Sequence, residues 1–247
     1  MNWCEKLTSP SKNLLQSYGV SDWAQFISHS NIIGDQVLRG LISHGLQVEN
    51  RPYVLDFGCG IGRVMFKLRA EHGIPTHACD VNPLAIEYIK AQKISVDIVN
   101  NSFNPPLPYP ESFFDAIYSI SVWTHLNPRD QVVWLKEIHR VLRIGGIALI
   151  SFIGPDGLAM RRERFDTWKN IDSNGIASNG ITFVPYKGSP GAYEKIGITS
   201  PYGTVIHTKR FIQNSWGEYF SVSEIVDRGI ANSQSYVVLR KDGVPLP

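Results

Sequence analysis

The 247 residues predict an α/β fold, a mostly parallel sheet covered by helices on both faces. Three observations predict it. Short apolar runs recur along the first 153 residues, several of them ending in glycine or aspartate. Stretches with helical apolar spacing lie between them. Strands that alternate with helices pair in parallel, and both faces of such a sheet are buried.

The elements follow in order. Asn31 to Leu46 places Ile32, Ile33, Val37, Leu38, Leu41 and Ile42 near one helical face, and Pro52 forbids continuation. Tyr53 to Phe57 reads as a buried first strand, and Ile61 to Glu71 as the helix after it. Pro75 to Cys79 is a second strand stopped by Asp80. Pro83 sits at a helix start, where its missing N–H costs nothing. Val96 to Val99 is a short third strand. Four prolines between Asn104 and Pro110 exclude regular structure there. Phe113 to Ile120 reads as a fourth strand. Pro128 to Leu142 is a helix with Val132, Val133, Leu135 and Ile138 turned inward and Gly145-Gly146 as its stop. Ile147 to Ile153 is a fifth strand.

The alternation then breaks. Residues 154–203 hold eight of the 21 glycines and four of the 15 prolines. Asn174-Gly175 and Asn179-Gly180 add turn signals. The segment 154–206 reads as an insertion that forms a lid or a substrate wall. His207 to Tyr219 reads as a helix, and Phe220 to Val226 and Ser235 to Leu239 as two closing strands. Residues 1–247 thus read as one domain: a helical cap (1–50), a core (51–153), the insertion (154–206) and a closing helix with strands (207–247).

Composition excludes several classes. Hydrophobic residues make up 43% and charged residues 19%, which excludes wholesale disorder. A net charge of +2 is too balanced for a nucleic-acid or anionic-membrane surface. No apolar run approaches the ~18 residues of a membrane span. Cys4, Cys59 and Cys79 form no C-x-x-C, so neither a disulfide framework nor a cysteine metal site is expected. The first residues carry no apolar signal region. A reducing, cytoplasmic location is the expectation.

The informative unit is Asp56-Phe57-Gly58-Cys59-Gly60-Ile61-Gly62, which joins the first strand to the first core helix. Glycines there allow a sharp turn and close approach of a ligand to the backbone. The carboxyl edge of an open α/β sheet is where ligands bind. A dinucleotide fingerprint G-x-G-x-x-G would need glycine at 63, where Arg63 stands, and no Gly-Lys-Ser/Thr follows for a P-loop. Asp80 closes the second strand 24 residues after Asp56, and a carboxylate there can accept from both hydroxyls of a ribose. Asp56 would oppose a bound pyrophosphate, so an adenosine ligand without phosphates fits better.

VLDFGCGIGRV, ACDVNP, FFDAIYSISVWTHL and LKEIHRVLRIGGIALISF, in this order over residues 53–153, resemble the class I S-adenosylmethionine-dependent methyltransferases. The C-terminal HTKRFIQNSWGEYF and SQSYVVLRK are more loosely similar to that family's last helix and antiparallel strand pair. The resemblance implies a Rossmann-like three-layer sandwich with seven strands and an antiparallel last strand. It also implies S-adenosyl-L-methionine as cofactor. Gly58, Cys59 and Gly60 would lie along its amino-acid and ribose parts, and Asp56 would hold its amino group. Asp80 would hold the ribose hydroxyls, and Val81 would pack on the adenine. Asn101, with Ser102 beside it, would meet the adenine amino group. Ser119 and Ile120 would pass near the sulfonium.

Methyl transfer from a sulfonium is an in-line displacement, and a hydroxyl acceptor gains from a base. His125 follows the fourth strand beside the expected methyl position, and His207 follows the insertion. Both are candidate bases, with capping or packing as the plainer role. Ser121 and Thr124 stand where some quinone-precursor O-methyltransferases place metal-supporting acids, so no metal is expected. Phe103 and Trp123 could shield the sulfonium or simply pack. Tyr186, Tyr193 and Tyr202 could line an acceptor pocket. The run Arg161-Arg162-Glu163-Arg164 fits a solvated helix face better than an acidic acceptor. The expectation is methyl transfer to a small-molecule or sugar hydroxyl, with no nucleic acid and no membrane as partner. The rival readings are N- or C-methylation on the same fold and a binding protein without chemistry.

Overall fold

The computed structural model describes residues 3–164, 166–169, 171, 176, 178–186, 198 and 201–243. Asn174-Gly175 and Tyr193 lie outside them. Two helices open the chain, α1 (Lys12–Ser17) and α2 (Trp23–Ser43), capped by Ser11 and Asp22. The core alternates as β1 (Val54–Phe57), α3 (Met65–His72), β2 (His77–Asp80), α4 (Pro83–Ala91) and β3 (Asp97–Asn100). It continues with β4 (Phe114–Ser119), α5 (Pro128–Val141), β5 (Leu142–Phe152) and α6 (Pro155–Arg164). The insertion adds a hairpin, β6 (Ile181–Pro185) paired antiparallel with β7 (Gly203–His207). A short turn, α7 (Lys209–Phe211), runs into a π-helical turn at Ile212–Trp216. The chain closes with β8 (Ser221–Ile230) and β9 (Gln234–Arg240).

Seven strands form one sheet in the order β3-β2-β1-β4-β5-β9-β8. The first five are parallel, and β9 runs antiparallel to both β5 and β8. The order reverses between β1 and β4, so a crevice opens beyond their carboxyl ends. On one face Ile33, Val37 and Leu41 of α2 pack against Val54, Ala116, Tyr118 and Leu149. Gly40 lets α2 approach closely, since a Cβ there would stand 2.5 Å from the Leu149 side chain. On the other face Trp134, Leu135 and Ile138 of α5 meet Phe57, Ile117 and Ala148.

Three local readings change. The inward face of α5 is Gln131, Trp134, Leu135 and Ile138, while Val132 and Val133 are exposed. Gly145 and Gly146 do not cap α5. They lie within β5, which starts at once after the helix and shifts register against β4 between Phe114 and Ala116. His207 ends a strand rather than starting a helix.

Candidate active site

A cavity of about 1100 Å³ lies at the carboxyl edge of β1, β2 and β4. The glycine loop forms one wall. Gly58, Gly60 and Gly62 all have positive φ, at 76°, 54° and 78°. A Cβ on Gly58 would stand 2.1 Å from Val122 Cγ2, and one on Gly60 2.7 Å from Tyr18 Cε1. Only glycine fits both the conformation and the space.

Asp80 braces this loop. Its Oδ2 accepts from the Gly60 N–H at 2.7 Å and its Oδ1 from the Asn82 N–H at 2.8 Å. Asn82 caps α4, with its side chain accepting from the Leu84 N–H. Each Asp80 oxygen retains capacity for a further donor, which is what two ribose hydroxyls need. Burial raises the Asp80 carboxyl above its usual range.

Asp56 is 3% exposed. Burial pushes its carboxyl up to about 8, with the Asp80 charge adding to the rise and Arg63 opposing it. A carboxylate that costs this much to ionise gains from a cation placed beside it. An α-ammonium group fits that need. Cys59, Val81, Asn101 and Ile120 also line the cavity. Asn101 Nδ2 donates to the Ser102 carbonyl at 2.7 Å, which fixes the amide's orientation and leaves Oδ1 to accept. The glycine cradle, the buried Asp56 and the twice-anchored Asp80 therefore suit the amino-acid, ribose and adenine parts of S-adenosylmethionine.

The opposite wall comes from the loop after β4 and from the insertion. Ser121 takes a left-handed conformation, φ 63°. Its N–H donates to Ser151 Oγ at 2.7 Å, and its Oγ accepts from Gln234 Nε2 at 2.8 Å. His125 stacks on Tyr202 at 5.1 Å and places Nδ1 2.9 Å from the Gly203 carbonyl. A carbonyl only accepts, so Nδ1 carries the proton and Nε2 keeps its lone pair. The Tyr186 hydroxyl lies 2.9 Å from the same Nδ1. Burial lowers the His125 pKa, and the Arg161 charge lowers it further. The ring is therefore neutral at pH 7.

Three residues expected at the site lie elsewhere. His207 is fully buried and absent from the cavity wall. Its Nε2 donates to Gln131 Oε1 at 3.1 Å, and Phe152, Phe211 and Trp216 surround the ring. Burial pushes its pKa down to about 3. The β6–β7 hairpin carries it into the core instead of the crevice. Ser119, the last residue of β4, is 1% exposed and does not line the cavity. Ser102 is exposed and does not line the cavity. Phe103 lines the cavity, whereas Trp123 is buried 5.1 Å from Trp216.

Other residues in or behind the cavity wall carry no motif. Tyr18 covers Gly60 and accepts a hydrogen bond from Asn82 Nδ2 at 3.1 Å. Gln131 braces the His125 loop. Its Nε2 donates to the Leu126 carbonyl at 2.8 Å while Oε1 accepts from Trp216 Nε1 at 3.3 Å. Arg161 lines the cavity rather than facing only solvent.

Comparison with known proteins agrees with this geometry. Residues 54–146 match the family model described as a methyltransferase domain. A methyltransferase of Streptomyces halstedii, GfsG, is 32% identical over 116 residues, 44% of this chain and 40% of its own. The rat tRNA N(3)-cytidine methyltransferase METTL6 is 31% identical over 119 residues, 44% of this chain and 41% of its own. The chain thus spans about two fifths of the length of these relatives. The crystal structure of PH0226 from Pyrococcus horikoshii has the same fold at 18% identity, with a TM-score of 0.60 over 90% of this chain and 93% of that one. The family match covers the same segment that builds the glycine cradle and Asp80, so residues 54–146 form a methyltransferase domain, similar to those of the S-adenosylmethionine-dependent methyltransferases.

Proposed function

We propose that the protein transfers the methyl group of S-adenosylmethionine to a hydroxyl of a small molecule, with His125 as general base. The cofactor supplies a methyl carbon already activated on a positively charged sulfur. The chain's task is then to align, desolvate and move one proton. Asp56, Asp80 and the glycine loop would hold the donor at the inner wall. The acceptor would enter between the loop after β4 and the β6–β7 hairpin.

The observation that carries the reading is the His125 tautomer. The Gly203 carbonyl fixes the proton on Nδ1, so Nε2 is the proton acceptor. As the acceptor oxygen bonds to the methyl carbon, its proton would pass to Nε2 and the sulfur would keep the electron pair of its broken bond. A small acceptor suits a walled cavity and a net charge of only +2.

Calorimetric titration with S-adenosylhomocysteine tests the cofactor site. Asp80→Ala should weaken binding by about 1.5–3 kcal/mol, the scale of hydrogen bonds to a charged group. Equal affinity in wild type and variant would remove Asp80 from the site. Absence of binding in the folded wild type would sink the proposal.

A further inference from the structure

We propose that the acceptor bears an anionic oxyanion group, a carboxylate in the first instance, and that Arg161 on α6 receives it. This rests on the methyltransferase reading above and narrows its substrate class.

The acids lining the cavity, Asp56, Asp80 and Glu87, belong to β1, β2 and α4 on the cofactor wall. The acceptor wall carries Arg161 with Trp168, Tyr186 and His125. Arg161 forms no ion pair among the described residues. Two backbone carbonyls fix it instead. Nη1 donates to the Gly157 carbonyl at 3.0 Å and to the Ser233 carbonyl at 2.6 Å. The guanidinium lies over the Trp168 ring, 5.3 Å from its centroid.

Nε and Nη2 are left without hydrogen-bond partners among the described residues. That edge of the guanidinium is the one that grips a carboxylate through two parallel N–H bonds. A partly buried cation without a counter-charge is costly, and burial lowers the Arg161 pKa accordingly. An anion brought by the acceptor would relieve that cost. It would also offset the charge that depresses His125, making Nε2 more basic only when acceptor is present. The aromatic surfaces of Trp168, Tyr186 and Tyr202 suit a flat body attached to the carboxylate.

The experiment uses the full chain saturated with S-adenosylhomocysteine and follows tryptophan fluorescence. The probes are 4-hydroxybenzoate and its neutral isostere 4-hydroxybenzamide. Wild type should bind the carboxylate at least tenfold more tightly than the amide. Arg161→Gln should abolish that preference while leaving amide binding and S-adenosylhomocysteine affinity within twofold. Arg161→Lys, which keeps the charge and loses the fork, should fall between. Equal binding of the two probes by wild type, failure of the carboxylate to bind at tens of millimolar, or a preference unchanged in Arg161→Gln would each overturn the inference. Intact S-adenosylhomocysteine binding in those cases leaves the methyltransferase reading standing; its loss in wild type removes that reading first. If Arg161→Gln does not fold, Arg161→Lys and the two wild-type titrations still decide.

Discussion

Replacing Asp56 with asparagine should stabilise the cofactor-free protein while destroying its cofactor site. The Asp56 carboxyl rises from about 4 in an unfolded chain to about 8 in the fold. Between those two values the unfolded state has released the proton and the folded state keeps it. Stability therefore falls as pH rises, by about 1.4 kcal/mol per pH unit for this one group. From pH 4 to pH 7 the loss is on the order of 4 kcal/mol, and above pH 8 it stops growing. Asparagine keeps the shape and has no proton to lose. Urea unfolding of both proteins between pH 4 and 9, without ligand, measures the difference. The stability gap should be small at pH 4, widen up to pH 8 and then hold. Parallel curves would refute the idea that burial governs Asp56. The same variant should bind S-adenosylhomocysteine far more weakly, because the group proposed to meet the amino end has lost its charge. Stability gained and binding lost in one substitution would mark a functional strain rather than a packing defect.

Two further predictions concern the histidines. His125→Ala should lower kcat by 10²–10⁴-fold with S-adenosylhomocysteine affinity unchanged, and the acid limb of the wild-type kcat/KM profile should lie below pH 6.5, because burial lowers the His125 pKa in the free protein; a kcat/KM limb above that pH contradicts the assignment. His207→Phe should leave turnover intact and flatten the loss of stability on acidification: with a folded pKa of about 3, wild-type His207 stays neutral while the unfolded chain takes up a proton below about pH 6.5, so stability falls as pH falls through that window. Melting curves at pH 4 and 7, with turnover at pH 7, check both halves.

Much of the core was legible because its signals are local. β1, β4 and the second half of β5 are apolar runs, β2 and β3 are short strands on either side of α4, and the glycine loop and Asp80 need only backbone geometry and a strand end. The boundaries shifted by a few residues. Asn31 to Leu46 marks only the later part of α2, since the segment from Trp23 joins the helix through the Asp22 cap and through Phe26 packing on Phe66. Periodicity misjudged α5 at Val132 and Val133, because apolar type does not report which neighbour a face meets. The acceptor wall was the least legible. Arg161 lines it from α6 and Gln131 braces its His125 loop from α5, while Tyr18 covers the glycine loop from the opposite side, and no spacing rule links the three. His207 misled for the same reason: its position beside the insertion was visible, but the strand that turns it inward depends on pairing between β6 and β7.

The Gly203 carbonyl belongs to the inserted hairpin, yet it decides which nitrogen of His125 holds the proton. On the proposed function, recognition and reactivity are thereby delivered by one cassette. A donor-binding half assembled from β1, β2 and the glycine loop can stay constant while the segment between β5 and α7 is exchanged. Each exchange would rewrite the acceptor's shape and the state of the base in a single event. A chimera bearing a foreign hairpin would thus be expected to retain the donor and forfeit the proton transfer until a carbonyl is restored opposite Nδ1.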